Sequence, residues 1–232
     1  MEIAKGIEII DLCLYLKKED ILVISDTHIG YEEALNKQGI LIPRFQFKEI
    51  IERLEGALFK VTKIVINGDV KHEFGNISDQ EWRHTLRLLD FLSRYCDEVI
   101  LVKGNHDTIL GPIAEKRKIR VVDELRVGDV LIAHGDKIPK DISEVKTIIT
   151  GHEHPAISIS DGVRFELFKC YLKGRWKGKI LIVQPSFNLV TEGTDILKER
   201  LLSPMLKGDI SEFEVFVVDK EVFDFGKIGK LT

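Results

Sequence analysis

Five short segments rich in Asp, Asn and His lie along this 232-residue chain, each at the point where a hydrophobic run ends. A loop that contains glycine begins at each of these points. The segments are Asp26-Thr27-His28, Gly68-Asp69, Gly104-Asn105-His106-Asp107, His134-Gly135 and Gly151-His152-Glu153-His154. Because α/β proteins present functional side chains on loops that follow strands, the pattern predicts a fold in which several strand ends meet at one edge.

The first hundred residues alternate between strand-like and helix-like patterns. Continuous apolar runs predict buried strands over residues 21–25, 61–66 and 99–102. Apolar residues at three- and four-residue spacing predict an amphipathic helix over residues 44–60. Ser78 and Glu81 have the spacing of a capping box, which predicts a second helix. Strand, loop and helix therefore recur as in a βαβ arrangement with a site at one edge of the sheet.

After about residue 119 the pattern changes to short strands. They are predicted over residues 120–122, 130–134, 147–150, 156–159, 163–172, 179–184, 214–218 and 222–225. Turn signals separate several of them, among them Asp161-Gly162, Lys173-Gly174 and Lys177-Gly178. A short helix is predicted over residues 196–202, ended by Pro204. The second half of the chain is therefore expected to be rich in β-structure.

Length and composition predict one compact domain over residues 1–232, since 44% of the residues are hydrophobic. The formal net charge is -4, so the chain lacks the basic balance that many nucleic-acid binders use. A nucleic-acid substrate would need a local basic surface or metal ions. The three cysteines, Cys13, Cys96 and Cys170, lie outside every polar segment and are expected to be reduced and mostly buried. No stretch resembles a signal peptide or a membrane span, so we predict a cytoplasmic protein without a membrane partner.

Seven side chains in the polar segments form a predicted ligand set: Asp26, His28, Asp69, Asn105, His134, His152 and His154. In an extended segment, residues two apart point to the same side, so Asp26 and His28 can converge, as can His152 and His154. Carboxylate, amide and imidazole ligands suit divalent ions, and two such ions about 3.5 to 4 Å apart promote attack on phosphorus. We expect two ions, with manganese favoured and Fe, Zn or Ni also compatible. The alternative is that these polar residues only cap helices or satisfy turns.

The order of the segments resembles the calcineurin-like metallophosphoesterase superfamily, whose motifs read Asp-x-His, Gly-Asp, Gly-Asn-His-(Asp/Glu), His and Gly-His-x-His. Every motif is present, and together they span residues 26–154. Residues 68–75 and 171–179 are further similar to a prokaryotic, largely archaeal, group of SbcD-related phosphoesterases. The resemblance implies a four-layer α/β/β/α sandwich with the metals at strand ends between two central sheets.

The resemblance also implies a role for each residue of the motifs. It divides the ligands into two sets joined by Asp69: Asp26, His28 and His154 on one metal, and Asn105, His134 and His152 on the other. His106 would face the scissile phosphate, and Asp107 would orient His106 through a hydrogen bond. The expected mechanism is in-line attack on phosphorus by metal-activated hydroxide, with His106 assisting departure of the alcohol.

Two residues outside the ligand set are candidates for substrate binding. His72 follows Asp69 closely and either reaches the substrate or closes a surface loop. Arg175 lies in a stretch of basic and aromatic residues, 168–179, that would suit a nucleic-acid backbone. We favour the alternative that this stretch is a solvated β-hairpin. His84 falls within a helical pattern and is expected to be structural.

The predicted function is therefore that of a metal-dependent phosphoesterase, a hydrolase acting on phosphodiesters, with DNA or RNA as candidate substrates for a nuclease. A second hypothesis is a phosphatase or phosphodiesterase for small nucleotides or metabolites, which the motifs do not separate from the first. A third is a non-catalytic scaffold of the same fold. Retention of the seven ligands and His106 argues against the scaffold. The sequence gives no indication of protein partners.

Overall fold

The computed structural model of the protein describes residues 1–74, 77–107, 110–160 and 162–231. Two β-sheets pack face to face, and α-helices lie against the first sheet. All five residues of the strand Ile21–Ser25 are buried, because both faces of the first sheet are covered. The predicted α/β sandwich with two central sheets is confirmed.

The first sheet has seven strands arranged in chain order. They are β1 (Glu2–Ala4), β2 (Ile7–Ile10), β3 (Cys13–Leu16), β4 (Ile21–Ser25), β5 (Val61–Asn67), β6 (Cys96–Val102) and β7 (Arg120–Val122). Neighbours from β1 to β4 are antiparallel, and those from β4 to β7 are parallel. The parallel strands are connected through helices, as the strand and helix patterns predicted.

Four α-helices connect the parallel strands of the first sheet. They are α1 (Tyr31–Lys37), α2 (Gln46–Ala57), α3 (Asp79–Leu92) and α4 (Gly111–Arg117). The predicted capping box begins α3: the Ser78 hydroxyl accepts the Glu81 N–H, and the Glu81 carboxylate accepts the Ser78 N–H. Ile50 and Leu54 of α2 are fully buried and belong to the main core.

The second sheet has nine strands. They are β8 (Glu124–Val127), β9 (Val130–Ala133), β10 (Thr147–Thr150), β11 (Pro155–Ser160), β12 (Phe165–Trp176), β13 (Lys179–Val183), β14 (Thr194–Asp195), β15 (Glu214–Val218) and β16 (Val222–Lys227). Their order is β14-β11-β12-β13-β10-β9-β8, with β15 beside β12 and β16 beside β15. Strands β9, β10 and β13 are parallel to one another. A short 3-10 helix, Ile228–Lys230, follows β16.

A second hydrophobic cluster lies on the second sheet. Met205, Leu206 and Phe213 pack there with strand residues, so an irregular segment covers the sheet. The helix predicted over residues 196–202 is wrong, because this stretch forms only a turn. The N–H groups of Leu202 and Ser203 bond to the Glu153 carboxylate at 2.8 and 2.7 Å and are therefore not available to a helix.

One predicted turn is also wrong. Strand β12 runs straight through Lys173-Gly174, and a side chain at Gly174 would overlap the Phe213 ring. The glycine therefore provides space for packing and does not form a turn. The turn lies at Lys177-Gly178, where both residues have positive φ angles of 47° and 77°, as in a tight hairpin. Two positions used in the predictions, Gly75 and Asp161, lie outside the described residues.

Polar hydrogen bonds join the two sheets at one edge. The Asn67 amide donates to the Ala133 carbonyl oxygen at 3.1 Å, and the Phe187 N–H donates to the Ser25 carbonyl oxygen at 2.7 Å. Away from this edge the sheets share apolar side chains such as Ile66. The carboxyl ends of β4, β5 and β6 therefore meet those of β9 and β10.

The remaining expectations concern the cysteines and membrane spans. Cys13, Cys96 and Cys170 are all buried and free. Burial raises the pKa of the Cys13 and Cys170 thiols, which makes them poor nucleophiles. Of the helices in the described part of the chain, none is long and apolar enough to cross a membrane.

Candidate metal centre

The predicted ligands all lie just beyond the carboxyl ends of strands at the joined edge. Asp26 and His28 follow β4, Asp69 follows β5, Asn105 follows β6, His134 follows β9, and His152 and His154 follow β10. Three parallel strands of one sheet and two of the other therefore supply the set, although the residues are far apart in the sequence.

The first group consists of Asp26, His28 and His154. The Nε2 atoms of His28 and His154 lie 3.2 Å apart, and Asp26 Oδ1 lies 3.6 Å from His154 Nε2. One ligand atom from each residue lies within 4.8 Å of the others. The structure thus brings together the three residues that were expected to share one metal.

The second group is centred on His134 Nε2. This atom lies 2.9 Å from Asn105 Oδ1, 3.2 Å from His152 Nδ1 and 3.4 Å from Asp69 Oδ2. Asp69 Oδ2 also lies 3.8 Å from His28 Nε2 in the first group. Asp69 is therefore located between the two groups, where it was expected to bridge two ions.

The backbone at these ligands is left-handed and not extended. Asp26, His28, Asp69, His152 and His154 have φ angles of 49°, 42°, 36°, 66° and 50°. Such angles are strained for residues other than glycine and concentrate at functional sites. The paired side chains converge as predicted, but the expected extended geometry is wrong, because each loop turns sharply at its ligands.

Glycines of the motifs make room for the ligands. A side chain at Gly68 would overlap the His134 ring, and one at Gly104 would overlap the backbone nitrogen and carboxylate of Asp69. A side chain at Gly151 would overlap Ser25 and Asp26. These glycines are needed because neighbouring loops approach too closely for a Cβ atom.

The electrostatics of the site are those of crowded ligands. Burial raises the pKa of Asp26, but His154 and His134 outweigh it and lower this pKa to about 2. Burial lowers the pKa of His134, yet Asp69 and Asp26 outweigh it and raise this pKa to about 9. Burial, assisted by His154, holds the pKa of His28 well below its usual value. At neutral pH and without a cation, Asp26 is therefore ionised and His28 is neutral, whereas His134 carries a proton that a metal ion would displace.

Two buried atoms of the site test whether a cation suits it. Asp26 Oδ1 and His134 Nδ1 lie 3.4 Å from each other, and neither has a hydrogen-bond partner among the described residues. Burying such atoms unpaired is costly, and a divalent cation would compensate a carboxylate oxygen that lacks donors. The mixed oxygen and imidazole donors also suit divalent metals. These groups can therefore hold divalent metal ions.

His106 lies at the rim of the ligand set. Its Nδ1 atom bonds to the His72 carbonyl oxygen, so Nδ1 carries the proton because a carbonyl only accepts. Its Nε2 atom faces Asp69 Oδ2 at 3.9 Å. This nitrogen is the one directed toward the ligands, where it can give or take a proton.

Asp107 does not orient His106, and that prediction is wrong. Its carboxylate accepts the N–H groups of Val70 and Gly104, both at 3.0 Å. Burial, together with the nearby Asp69, raises the pKa of Asp107 to about 7. The side chain joins the loops after β5 and β6 and so positions Asp69 relative to Asn105.

The two candidates for substrate binding have different positions. His72 lies at the site, with its Nδ1 atom 3.4 Å from His28 Nδ1 and its ring against Tyr31. Arg175 is exposed on β12 and pairs with Ile180, which pairs with Thr147 at the start of β10. Since the site follows the other end of β10, Arg175 lies away from the predicted ligands, and its role in substrate binding stays a prediction. The stretch around it is the hairpin that we favoured.

Several supporting residues were not predicted. Lys71 is fully buried and donates to the carbonyl oxygens of His106, at 2.9 Å, and Glu73. The Gln46 amide donates to the His28 carbonyl oxygen at 2.8 Å. The Glu81 carboxylate accepts the Glu73 N–H as well as closing the capping box. Only the capping pattern of Glu81 was visible in the sequence.

A cavity of about 650 Å³ opens beside Asn105 and His134. Its lining is mixed polar and apolar and includes the charged residues Lys103, Lys137 and Asp136. Its size is within the range of pockets that bind small molecules. The part of a substrate beyond the phosphate therefore has room next to the ligands.

The comparison with solved structures gives matches of low sequence identity to this chain. Vacuolar Protein Sorting 29 from Cryptosporidium parvum is 17% identical, with 89% of this chain and 97% of that chain covered and a TM-score of 0.39. A predicted phosphoesterase from Streptococcus pneumoniae is 16% identical, with 89% and 97% covered and a TM-score of 0.37. A Vps29 variant from Entamoeba histolytica is 19% identical, with 89% and 99% covered and a TM-score of 0.36.

No curated protein sequence matches the chain. The model of the family described as calcineurin-like phosphoesterase matches residues 20–146, which is more than half of the chain. This span contains the first four motifs and ends just before Gly151-His152-Glu153-His154, whose histidines the fold brings to the same edge. The chain therefore belongs to the calcineurin-like phosphoesterase family.

Proposed function

We propose that this protein hydrolyses phosphodiester bonds with the aid of two divalent metal ions, of which manganese is our first choice. The observation that carries the proposal is the arrangement of ligand atoms around Asp69. The nitrogen and oxygen atoms of these side chains face one another at distances of 2.9 to 3.8 Å. Without a cation they would compete for protons. Such an arrangement is suited to cations.

The residues would divide the work as follows. Asp26, His28 and His154 would hold one ion, Asn105, His134 and His152 the other, and Asp69 both. When bound, the ions would neutralise charge on the phosphate and activate water for attack on phosphorus. His106 would act in its doubly protonated form, giving its Nε2 proton to the departing alcohol while its Nδ1 proton stays on the His72 carbonyl oxygen.

The substrate class is also proposed. The similarity of residues 68–75 and 171–179 to SbcD-related phosphoesterases supports DNA or RNA, although the net charge of -4 gives no general attraction to a nucleic acid. A small nucleotide or metabolite is the second candidate. It is favoured by the cavity of about 650 Å³ beside Asn105 and His134, which has room for one small ligand.

The experiment begins with metal-free protein reconstituted with manganese. Hydrolysis of bis(p-nitrophenyl) phosphate, p-nitrophenyl phosphate, and single- and double-stranded DNA is then measured. We expect cleavage of the diester to exceed cleavage of the monoester. The variants Asp69→Ala and His106→Ala should lose activity, the first together with metal binding and the second without it.

His84→Ala is the matched control. His84 lies in α3, where it stacks on Phe47 of α2, away from the ligands. It should retain both metal binding and activity. Absence of hydrolysis of both generic esters at every metal concentration would refute the enzyme proposal and favour the scaffold. Faster cleavage of the monoester than of the diester and DNA would refute the diesterase proposal alone.

A further inference from the structure

Phe74 is an exposed aromatic residue at the metal centre. Phe74 is 58% exposed, and the centroid of its ring lies 3.6 Å from that of the His106 ring, with the two planes tilted by 34°. Single exposed apolar side chains are common on protein surfaces, so it is the contact of this ring with His106 that distinguishes Phe74. The ring has one side on His106 and much of the rest of its surface open.

Buried charged groups fix the position of the Phe74 segment. The preceding residue, Glu73, has its N–H bonded to Glu81 Oε1 at 2.9 Å and its carbonyl oxygen bonded to the Lys71 ammonium. Lys71 is fully buried and also donates to the His106 carbonyl oxygen at 2.9 Å. Phe74 and His106 therefore share one anchor, which holds the two rings in a defined relation.

We propose that Phe74 is a stacking platform for a flat aromatic group on the leaving side of the phosphate ester, such as a nucleobase. The proposal rests on the proposed function only in that His106 faces the leaving oxygen. Aromatic side chains stack on every base, because each base has a π-face. The open surface of Phe74 lies next to His106 and so within reach of a group attached to that oxygen. This defines the substrate class as nucleotides or nucleic-acid strands.

The test measures binding and does not depend on turnover. Calorimetry with the manganese-loaded protein compares two phosphonate analogues that cannot be hydrolysed, one of AMP and one of ribose 5-phosphate. We expect the AMP analogue to bind about tenfold more tightly, which is the usual contribution of one stacked base. Phe74→Ala should remove most of this difference, Phe74→Leu should also remove it, and Phe74→Tyr should retain it.

Phe223→Ala is the matched control, because Phe223 is an exposed phenylalanine on β16. It should leave the tenfold difference intact. A hexanucleotide phosphonate separates the two sources of the base: a larger effect of Phe74→Ala on the strand than on the mononucleotide indicates nucleic acid, and an equal effect indicates a free nucleotide.

Equal affinity for the two analogues in the unmodified protein would overturn the platform. An equal loss of affinity for both analogues in Phe74→Ala would also overturn it, since the phosphate site itself would then have been damaged. The proposed function fails independently of these results. The proposed function is refuted if generic esters are not hydrolysed, even when base-dependent binding persists.

Discussion

The Nε2 atoms of His28 and His154 lie 3.2 Å apart, although 126 residues separate the two histidines in the chain. One of these nitrogens must donate to the other, or both must bind something else. Two protonated rings at this distance would repel each other, which agrees with the lowered pKa of His28 caused by burial and by His154. A cation relieves this conflict.

We therefore expect manganese to stabilise the folded protein. A ligand that binds only the folded state at about 100 times its dissociation constant adds about 2.7 kcal/mol to the free energy of unfolding. For a domain of this size, that corresponds to a rise in melting temperature of about 5 to 10 °C. Differential scanning calorimetry with manganese and with EDTA measures the shift. Asp69→Asn should abolish it and His84→Ala should not; an unmodified protein that shows no shift would contradict metal binding.

Asp107→Asn should destabilise the protein by about 2 kcal/mol, because the amide keeps only one acceptor for the N–H groups of Val70 and Gly104. Metal affinity should also fall, because the loops after β5 and β6 that Asp107 joins carry Asp69 and Asn105. Chemical denaturation and metal titration measure these two effects. A variant of unchanged stability and metal affinity that loses only turnover would instead support a direct role of Asp107 in catalysis.

Substitution of His72 should lower activity, and substitution of Arg175 should not. His72→Ala should lower kcat/KM by about 10-fold or more, because it removes the imidazole whose Nδ1 lies 3.4 Å from His28 Nδ1, while the backbone carbonyl oxygen that holds His106 is retained. Arg175→Ala should leave kcat/KM unchanged, because Arg175 lies at the far end of β12 from the site. Steady-state kinetics with a generic diester makes the comparison. A marked loss in Arg175→Ala would mean that the substrate extends around the sheet.

Two glycines provide a matched pair for a stability measurement. Gly104→Ala should destabilise the protein by more than about 2 kcal/mol, because the new methyl group would overlap backbone and carboxylate atoms of Asp69. Gly56→Ala should stabilise it by about 0.5 to 1 kcal/mol, because Gly56 lies in α2 and its added methyl group would meet nothing within 4 Å. Urea denaturation measures both. Similar effects of the two substitutions would contradict the described packing of the loops.

Lys169 should make stability depend on pH. Burial outweighs the nearby Glu192 and lowers the pKa of Lys169 from 10.5 to about 8. Between these pH values the unfolded chain binds more protons, so the contribution of Lys169 to stability rises with pH through this window. The gain is on the order of 3 kcal/mol for a shift of this size.

The measurement is the difference in free energy of unfolding between the unmodified protein and Lys169→Met, followed from pH 7.5 to pH 10. The difference should move in favour of the unmodified protein as the pH rises. Lys173→Met is the control, because Lys173 lies on the same strand but pairs with Glu214 at 2.6 Å. A difference that stays constant with pH would show that Lys169 titrates normally.

The meeting of the seven predicted ligands at one edge was predictable because these residues follow strand ends in a recognisable order, and strand ends are set by hydrophobic patterns. Orientation was not predictable in the same way. Asp107 and Arg175 were assigned from their place in the sequence, but their partners depend on loop contacts and on strand register. The burial of Lys71 was equally invisible, since lysine is rarely buried.

The fold shows the same division between local pattern and tertiary context. Strands β10 and β15 have the predicted bounds, and α3 begins at the predicted capping box. Helices α1 and α4 were not predicted, because seven residues are too few to show helical periodicity. The segment after β14 is not a helix, and at its end the N–H groups of Leu202 and Ser203 bond to Glu153, which is distant in the sequence.

The hydrogen bonds that join the two sheets have an evolutionary consequence. The His152 N–H donates to Asp26 Oδ2 at 3.0 Å, beside the bonds of Asn67 and Ser25 across the same edge. The edge that carries the predicted ligands therefore also holds the two sheets together. A descendant that no longer needed hydrolysis would be free to discard His106. It would still be selected to keep Asp26 and Asn67, so that a remnant of the motif in such a lineage would record architecture and not activity.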